Sequence, residues 1–130
     1  MLTGRCEAWL VKAPDPFRVA IDRLVAYAGA GADCLYAPGV QKPDEIAEIV
    51  KAVSPKPVNV LVSGFNRELT LSQLVDLGVR RISVGSGLAA VAWGAFISAA
   101  RSIATTGRFD DAFAKAVSTA ELNETFSERN

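Results

Sequence analysis

Histidine is missing from this 130-residue sequence, and it has only two cysteines and one methionine. Without histidine, the chain can supply no Ser-His-Asp triad, no imidazole acid or base and no histidine metal ligand. Cys6 and Cys34 form neither a CxxC motif nor a Cys/His cluster, so we expect reduced thiols rather than a zinc site or disulfides. Packing is their simplest role, although neighbouring strands would bring the two sulfurs near each other. Any catalysis must use carboxylates, Arg, Lys, Ser, Tyr or Cys.

An excess of charge of either sign is also missing, because fourteen Lys and Arg residues balance fourteen Asp and Glu residues. No overall field attracts nucleic acid or an anionic membrane, and neither is expected as a partner. The apolar run near residues 88–100 is rich in alanine, and we expect it to be too short and too weakly hydrophobic to span a membrane. The N-terminus lacks the form of a signal peptide, which favours a cytoplasmic protein.

A glycine-bounded segment occurs twice, at residues 31–39 and 78–86, and each copy follows a helix-like stretch. The first glycine supplies the left-handed residue that ends a helix, an apolar strand follows, and a second glycine opens the next loop. The repeat therefore predicts helix-to-strand units of an α/β protein, 47 residues apart (78 − 31). A barrel and a Rossmann-like sheet both fit this local pattern, and chance recurrence is the third explanation.

Four strands that alternate with helices are predicted along the chain. The run at residues 58–62 is nearly continuous and β-branched, which is typical of a buried parallel strand, and Asn59 is the exception inside it. Helix starts are indicated by Asp15-Pro16, by Pro43 and by a capping box at residues 70–73. The other predicted strands are residues 1–5, 34–37 and 81–84; a small-residue helix runs from Gly87 to about residue 106, and one or two further helices occupy residues 109–130.

Several of these segments, taken in order, resemble the isocitrate lyase/phosphoenolpyruvate mutase superfamily, and most of all its small phosphonomutase-like members. The resemblance extends from residue 1 to about residue 115 without large gaps. The segments are Leu2-Thr3-Gly4-Arg5-Cys6-Glu7-Ala8, Asp15-Pro16, residues 26–33, Pro57-Val58-Asn59-Val60-Leu61 and residues 78–86.

The resemblance implies the fold class α/β, and within it the C-terminal half of a TIM (β/α)₈ barrel, because the chain is similar to strands five to eight. A complete barrel needs roughly 250 residues. Residues 1–130 are then one half-barrel domain, with β/α units to about residue 106 and a helical tail at about 107–130. The family's Mg²⁺-binding carboxylates lie on strands one to four, so Mg²⁺ is expected in the complete enzyme and not on this chain alone. Met1 falls inside the fifth strand, which favours a truncated or mis-started reading frame as the origin of the chain.

Arg5 matches the family's arginine at the end of strand five, which implies that it anchors a substrate carboxylate or phosphonate. A guanidinium binds such anions with two parallel hydrogen bonds, which suits this role. A surface or supporting ion pair is the alternative for Arg5. Glu7 stands where the family has an acidic residue, and it either orients Arg5 or a metal-bound water, or is a solvated loop carboxylate.

Three further residues are candidate substrate contacts: Asn59 within strand seven, and Ser63 and Ser86 after strands seven and eight. Asn59 points into the barrel, either as a structural polar contact or toward substrate. Ser63 ends strand seven, and Ser86 lies at the start of a helix, where barrels often bind phosphate. Glycine around Ser86 is equally explained by tight strand-to-helix turning.

Two departures from the family pattern argue against isocitrate or methylisocitrate lyase activity. Pro38-Gly39 replaces the glutamate at the end of strand six, and Leu61 replaces the asparagine of strand seven. The chain is therefore expected to belong to an enzyme that makes or breaks C–C or P–C bonds in small 2-oxo acids, carboxylates or phosphonates, and to be inactive alone. The alternatives are a non-catalytic half-barrel that associates with itself and one subunit of a split enzyme whose partner supplies the first four strands.

Overall fold

A computed structural model describes residues 1–64 and 66–127 of the protein. The chain divides into two compact units, Met1–Leu88 and Ala89–Asn130. The helices and strands are β1 (Thr3–Arg5), α1 (Pro16–Gly29), β2 (Cys34–Tyr36), α2 (Pro43–Val53), β3 (Val58–Leu61), α3 (Leu71–Asp76), β4 (Arg81–Ser83), α4 (Gly87–Thr106), α5 (Asp110–Phe113) and α6 (Thr119–Phe126).

The four strands form one parallel sheet in the order β1-β2-β3-β4. Each neighbouring pair is joined through a helix, which is the connection that parallel strands require. The predicted α/β architecture of four parallel strands alternating with helices is confirmed. Each strand also lies beside the next strand in the sequence, as successive strands of a β/α barrel do.

Local signals in the sequence explain where the first and third helices begin. The Asp15 carboxylate accepts a hydrogen bond from the backbone N–H of Arg18, and Pro16 is the first helical residue of α1. At α3, the Thr70 hydroxyl accepts from the N–H of Gln73 while the Gln73 side chain accepts from the N–H of Thr70. Both helix starts satisfy backbone donors that would otherwise have no partner, as the sequence predicted.

The two glycines of the repeated segment end helices in the same way. Gly31 and Gly78 have φ angles of +100° and +85°, which side chains rarely adopt. Each lies two residues after the last residue of its helix. The next N–H in the chain donates back to a carbonyl of the last helical turn, from Ala32 to Tyr27 and from Val79 to Leu74. The repeat is therefore a helix-ending turn followed by a strand.

The two glycines differ in what surrounds them, and this predicts different costs of an alanine substitution. A Cβ atom at Gly78 would lie 2.7 Å from Cγ1 of Val50, whereas a Cβ atom at Gly31 would meet nothing within 4 Å. Gly31→Ala should lower the free energy of unfolding by about 1–2 kcal/mol through backbone strain alone. Gly78→Ala should cost more, and adding Val50→Ala should remove part of the excess. Urea unfolding of the variants measures both effects, and equal costs at the two glycines would contradict the prediction.

The hydrophobic core of the first unit lies between the sheet and α1, α2 and α3. Apolar side chains at helical spacing on these three helices meet alternate residues of the strands. The largest fully buried apolar side chains there are Leu24, Leu35, Ile46, Ile49, Val60 and Leu74. This packing fixes the strands and leaves their carboxyl ends to carry loops.

The second unit consists mainly of α4, which has 20 residues and no buried side chain. By length and composition it is long and apolar enough to cross a membrane. The expectation that the run near residues 88–100 is too short and too weakly hydrophobic for this was therefore wrong, because the whole helix meets both criteria. The helix itself ends at Thr106, as predicted. Its exposed apolar side chains include Val91, Trp93, Phe96 and Ile97.

Candidate functional site

The sheet of the first unit has two chemically different faces. A Cβ atom at Gly4 would lie 2.8 Å from Cβ of Tyr27 on α1, so the face that carries Gly4 is the one packed against helices. Strand register places Leu35 and Val58 on that same face. The alternate residues form the opposite face, here called the open face. They are Thr3, Arg5, Cys34, Tyr36, Asn59, Leu61, Arg81 and Ser83.

Arg5 stands at the end of β1 on the open face, where it contacts Glu7 and Tyr36. Its Nε donates to Oε1 of Glu7 at 2.6 Å, and its guanidinium carbon lies 4.9 Å from the ring centroid of Tyr36. Among described residues, the two terminal nitrogens of Arg5 donate to no protein acceptor. About half of each side chain in the Arg5–Glu7 pair is exposed. Glu7 and Tyr36 thus orient a guanidinium whose outer edge remains available to an anion.

Asn59 is buried on the open face, although it interrupts an otherwise apolar strand. Its Nδ2 donates to Oγ of Ser83 on β4 at 3.0 Å, and Asn59 is 2% exposed. Its Oδ1 is buried and has no hydrogen-bond partner among the described residues. The side chain therefore makes a structural contact through its nitrogen, while its oxygen is an acceptor that no described donor reaches.

Ser63 and the loop that carries Ser86 lie close together at the carboxyl ends of β3 and β4. A Cβ atom at Gly85 would lie 3.6 Å from Oγ of Ser63, and one at Gly87 would lie 3.5 Å from Cβ of Ser63. Gly85 has a φ of +52°, and Gly87 donates its N–H to the carbonyl of Val84. Tight turning of the chain into α4 is therefore an observed role of these glycines. The structure leaves the anion-binding role of the two serines as a prediction.

Asn66 is a residue of this end of the sheet that the sequence did not reveal as important. It is 2% exposed, has a φ of +56°, and its Nδ2 donates to two carbonyls, Val40 at 2.9 Å and Leu61 at 3.1 Å. One amide thereby ties the loop after β2 to the end of β3. The only sequence signal was an asparagine in a loop, the residue type that best tolerates a positive φ after glycine.

The two cysteines are free and buried. Alternation along the strands puts Cys34 on the open face, whereas Cys6 belongs to the core packed against the helices. Within residues 1–64 and 66–127, no group of three or more Cys, Asp or Glu side chains gathers as a metal ligand set would.

A cavity of about 540 Å³ opens between the loops after β1 and β2, outside the set of predicted residues. Its lining includes Trp9, Asp15, Gly39 and Glu45, and none of the five predicted site residues. At its rim, Nζ of Lys42 donates to Glu45 at 2.8 Å, and this hydrogen bond raises the pKa of Lys42 above its ordinary value. The polar residues of the open face, rather than this cavity, are those that combine an oriented cation with a buried amide and a half-buried hydroxyl group.

Comparison with known proteins gives one family and several relatives. The family model described as phosphoenolpyruvate phosphomutase matches residues 1–104. A curated Mycobacterium tuberculosis protein of uncharacterised function is 38% identical over 86 residues, which cover 65% of this chain and 31% of that protein. The chain therefore spans about a third of this relative's length.

Solved structures agree with the family match. A Burkholderia cenocepacia J2315 protein described as a lyase/mutase is 43% identical with a TM-score of 0.89, covering 99% of this chain and 45% of that chain. A second protein of that organism, described as a phosphonomutase, is 31% identical with a TM-score of 0.64. The match covers 75% of this chain and 40% of the phosphonomutase chain. Oxaloacetate acetylhydrolase is 21% identical with a TM-score of 0.78, and it shares the fold. The match covers 95% of this chain and 42% of the acetylhydrolase chain.

Proposed function

Because the chain belongs to the phosphoenolpyruvate phosphomutase family, within the isocitrate lyase/phosphoenolpyruvate mutase superfamily, we propose that it is the anion-anchoring half of a lyase or mutase barrel. The observation that carries the proposal is Arg5, which is fixed by Glu7 and Tyr36 at the carboxyl end of β1. Active sites of β/α barrels are built at the carboxyl ends of their strands.

The proposed substrate is a small 2-oxo acid, carboxylate or phosphonate. The outer edge of Arg5 would accept two oxygens of its anionic group, and Glu7 would keep the guanidinium turned toward it. Ser63 and Ser86 would add hydroxyl donors near the ends of β3 and β4 if a phosphonate or second carboxylate reaches them. Arg5 and Glu7 would bind the substrate and position it. This positioning raises the reaction rate only when the other catalytic groups hold the same substrate molecule.

The other catalytic groups, including the Mg²⁺ ligands, are proposed to come from a second set of four strands. The family's bond-making and bond-breaking reactions next to a carboxylate use Mg²⁺, and the described residues of this chain gather no ligand set for it. Its ligands would therefore belong to the other half. A gene encoding both halves and a split enzyme with two subunits would both satisfy this requirement, and the cytoplasm is the proposed location of either.

The proposal is tested by completing the barrel. In a chimera, this chain replaces the matching segment of the 43% identical Burkholderia cenocepacia protein, with the rest of that protein retained. This chimera is called the closed barrel below. We expect Mg²⁺-dependent turnover of oxaloacetate or of a phosphonate by the closed barrel. A folded closed barrel that binds no carboxylate or phosphonate would contradict the proposed function.

Self-association without catalysis is the second candidate function, and the exposed apolar surface of the second unit favours it. Trp93 and Phe96 are each 63% exposed on α4, and their rings meet edge to face at 5.6 Å. An apolar surface of this kind favours association. Sedimentation velocity should then show a dimer or larger oligomer, and Trp93→Ser with Phe96→Ser should shift it toward the monomer. A folded monomer at micromolar concentration would rule this function out.

A further inference from the structure

We infer that Arg81 marks the surface through which the half-barrel closes, and that the polypeptide which closes it places a carboxylate against this guanidinium. The inference rests on the proposed function, in which a second set of strands completes the sheet. It adds that the contact is a carboxylate against Arg81, and that the partner is a polypeptide other than a second copy of this chain. Arg81 is a basic residue of an edge strand that neither the core nor the anion anchor uses.

Register and one long-range contact fix the position of Arg81. It begins β4 and lies in line with Asn59 of β3, Tyr36 of β2 and Arg5 of β1, so it belongs to the open face. Its Nη1 lies 3.4 Å from Oγ1 of Thr3, at the long limit of a hydrogen bond. Since Thr3 lies on the other edge strand, with β2 and β3 between, the open face is concave and Arg81 reaches across it.

The open face offers Arg81 hydroxyls but no opposite charge. Arg5 has its own carboxylate in Glu7, whereas no described carboxylate forms an ion pair with Arg81. Near it are Thr3, Ser83 and the amide of Asn59, whose Oδ1 accepts from no donor in the described part of the chain. This arrangement is acceptable while the strand edge is open, because Arg81 is still exposed to water.

Closure of the sheet would change the environment of Arg81. Strands added beside β4 and β1 would cover both edges and enclose the open face, as in any closed barrel. A guanidinium enclosed without a carboxylate would leave a buried charge uncompensated, and such a charge is strongly destabilising. The closing polypeptide is therefore expected to bring the carboxylate that this chain lacks.

A second copy of this chain does not meet that requirement. Its β1 edge would bring Thr3 and Arg5 toward β4, which adds a positive charge beside Arg81, and its Glu7 is already paired with Arg5. Like charges at a contact select against a partner. Charge complementarity thus favours a different polypeptide, with acidic side chains on the strands that meet β4 and β1.

The experiment measures binding of the full 130-residue chain to the rest of the Burkholderia cenocepacia protein, produced as a separate polypeptide. Arg81→Met should weaken binding by at least about 30-fold, because it leaves the partner's carboxylate buried and unpaired. Arg81→Lys should restore part of the affinity. The matched control is Arg80→Met, since Arg80 precedes β4, donates from Nη1 to the carbonyl of Val79, and should change binding by about twofold or less.

Each outcome decides a different question. Unchanged or tighter binding by Arg81→Met would overturn the inference and leave the proposed closure intact, because an apolar side chain would then suit the contact. Binding of the chain only to itself would identify a second copy as the occupant and would also overturn it. A crystal structure of the closed barrel gives a second reading: we expect a carboxylate oxygen within about 4 Å of the Arg81 guanidinium, and its absence would refute the inference even if the separate halves fail to associate.

Discussion

Replacing Arg5 with methionine is expected to lower kcat/KM of the closed barrel by about 10² to 10³-fold, the usual loss when one donor to a substrate anion is removed. The family resemblance and the strand position point to Arg5 as the anion anchor, and its contacts with Glu7 and Tyr36 hold the guanidinium at the end of β1. Methionine keeps much of the apolar stem but removes the guanidinium and with it every hydrogen-bond donor of the side chain. The measurement is steady-state kinetics with oxaloacetate or a phosphonate in the presence of Mg²⁺.

Two further variants separate the role of Arg5 from a general effect of charge. Arg5→Lys keeps the charge but loses the planar pair of donors, so its activity should fall between that of methionine and arginine. Arg23→Met removes a guanidinium from an exposed position on α1 and should leave the kinetics unchanged. An Arg5→Met barrel with the original kcat/KM would show that Arg5 is an ion-pair residue of the surface.

Asn66→Ala is expected to give a large loss of stability for a single loop residue, about 2 to 4 kcal/mol of the free energy of unfolding. Two carbonyls, of Val40 and Leu61, would lose the donor that joins them. Alanine would also be strained at the φ of +56° that asparagine adopts here. Urea unfolding followed by circular dichroism measures the loss.

Glycine at the same position separates the two causes. Asn66→Gly also lacks the amide, but glycine adopts a positive φ freely, so it should cost about 1 to 2 kcal/mol less than alanine. Hydrogen exchange should increase near residues 38–41 in both variants, because the loop after β2 loses its tie to β3. A cost of alanine below about 0.5 kcal/mol, typical of a surface substitution, would show that Asn66 does not hold the loops together.

The order of strands and helices followed from the sequence because its signals are local. Asp15-Pro16 and the Thr70–Gln73 capping box begin helices through contacts three residues apart, and Gly31 and Gly78 end them. Such local contacts form independently of how the rest of the chain folds. Strand ends were less well defined, and the strand predicted at residues 58–62 stops at Leu61.

The parts of the site that could not be predicted depend on residues far apart in sequence. The tie from Asn66 to Val40 spans 26 residues, and the contact between Arg81 and Thr3 spans 78. Both require knowledge of which strands are neighbours and how strongly the sheet curves. The Arg5–Glu7 contact, two residues apart, was within reach of sequence alone and was expected as one of two readings of Glu7.

The membrane expectation failed for a different reason. The helix was predicted to run from Gly87 to about residue 106, but the apolar run was counted only over residues 88–100. Over its whole length, which includes Arg101 and Ser102 and reaches Thr106, the helix is long and apolar enough to cross a membrane. Apolar residues along α4 are exposed in the described chain, which fits a surface used in assembly.

The central claim is that this chain carries the substrate anchor of a family enzyme but not its metal site. Turnover by the purified 130-residue chain, with Mg²⁺ and either oxaloacetate or a phosphonate, tests it most directly. No turnover above the rate without protein is predicted for the chain alone, whereas the closed barrel is expected to be active. Measurable turnover by the chain alone, abolished by a chelator and by Arg5→Met, would contradict the claim.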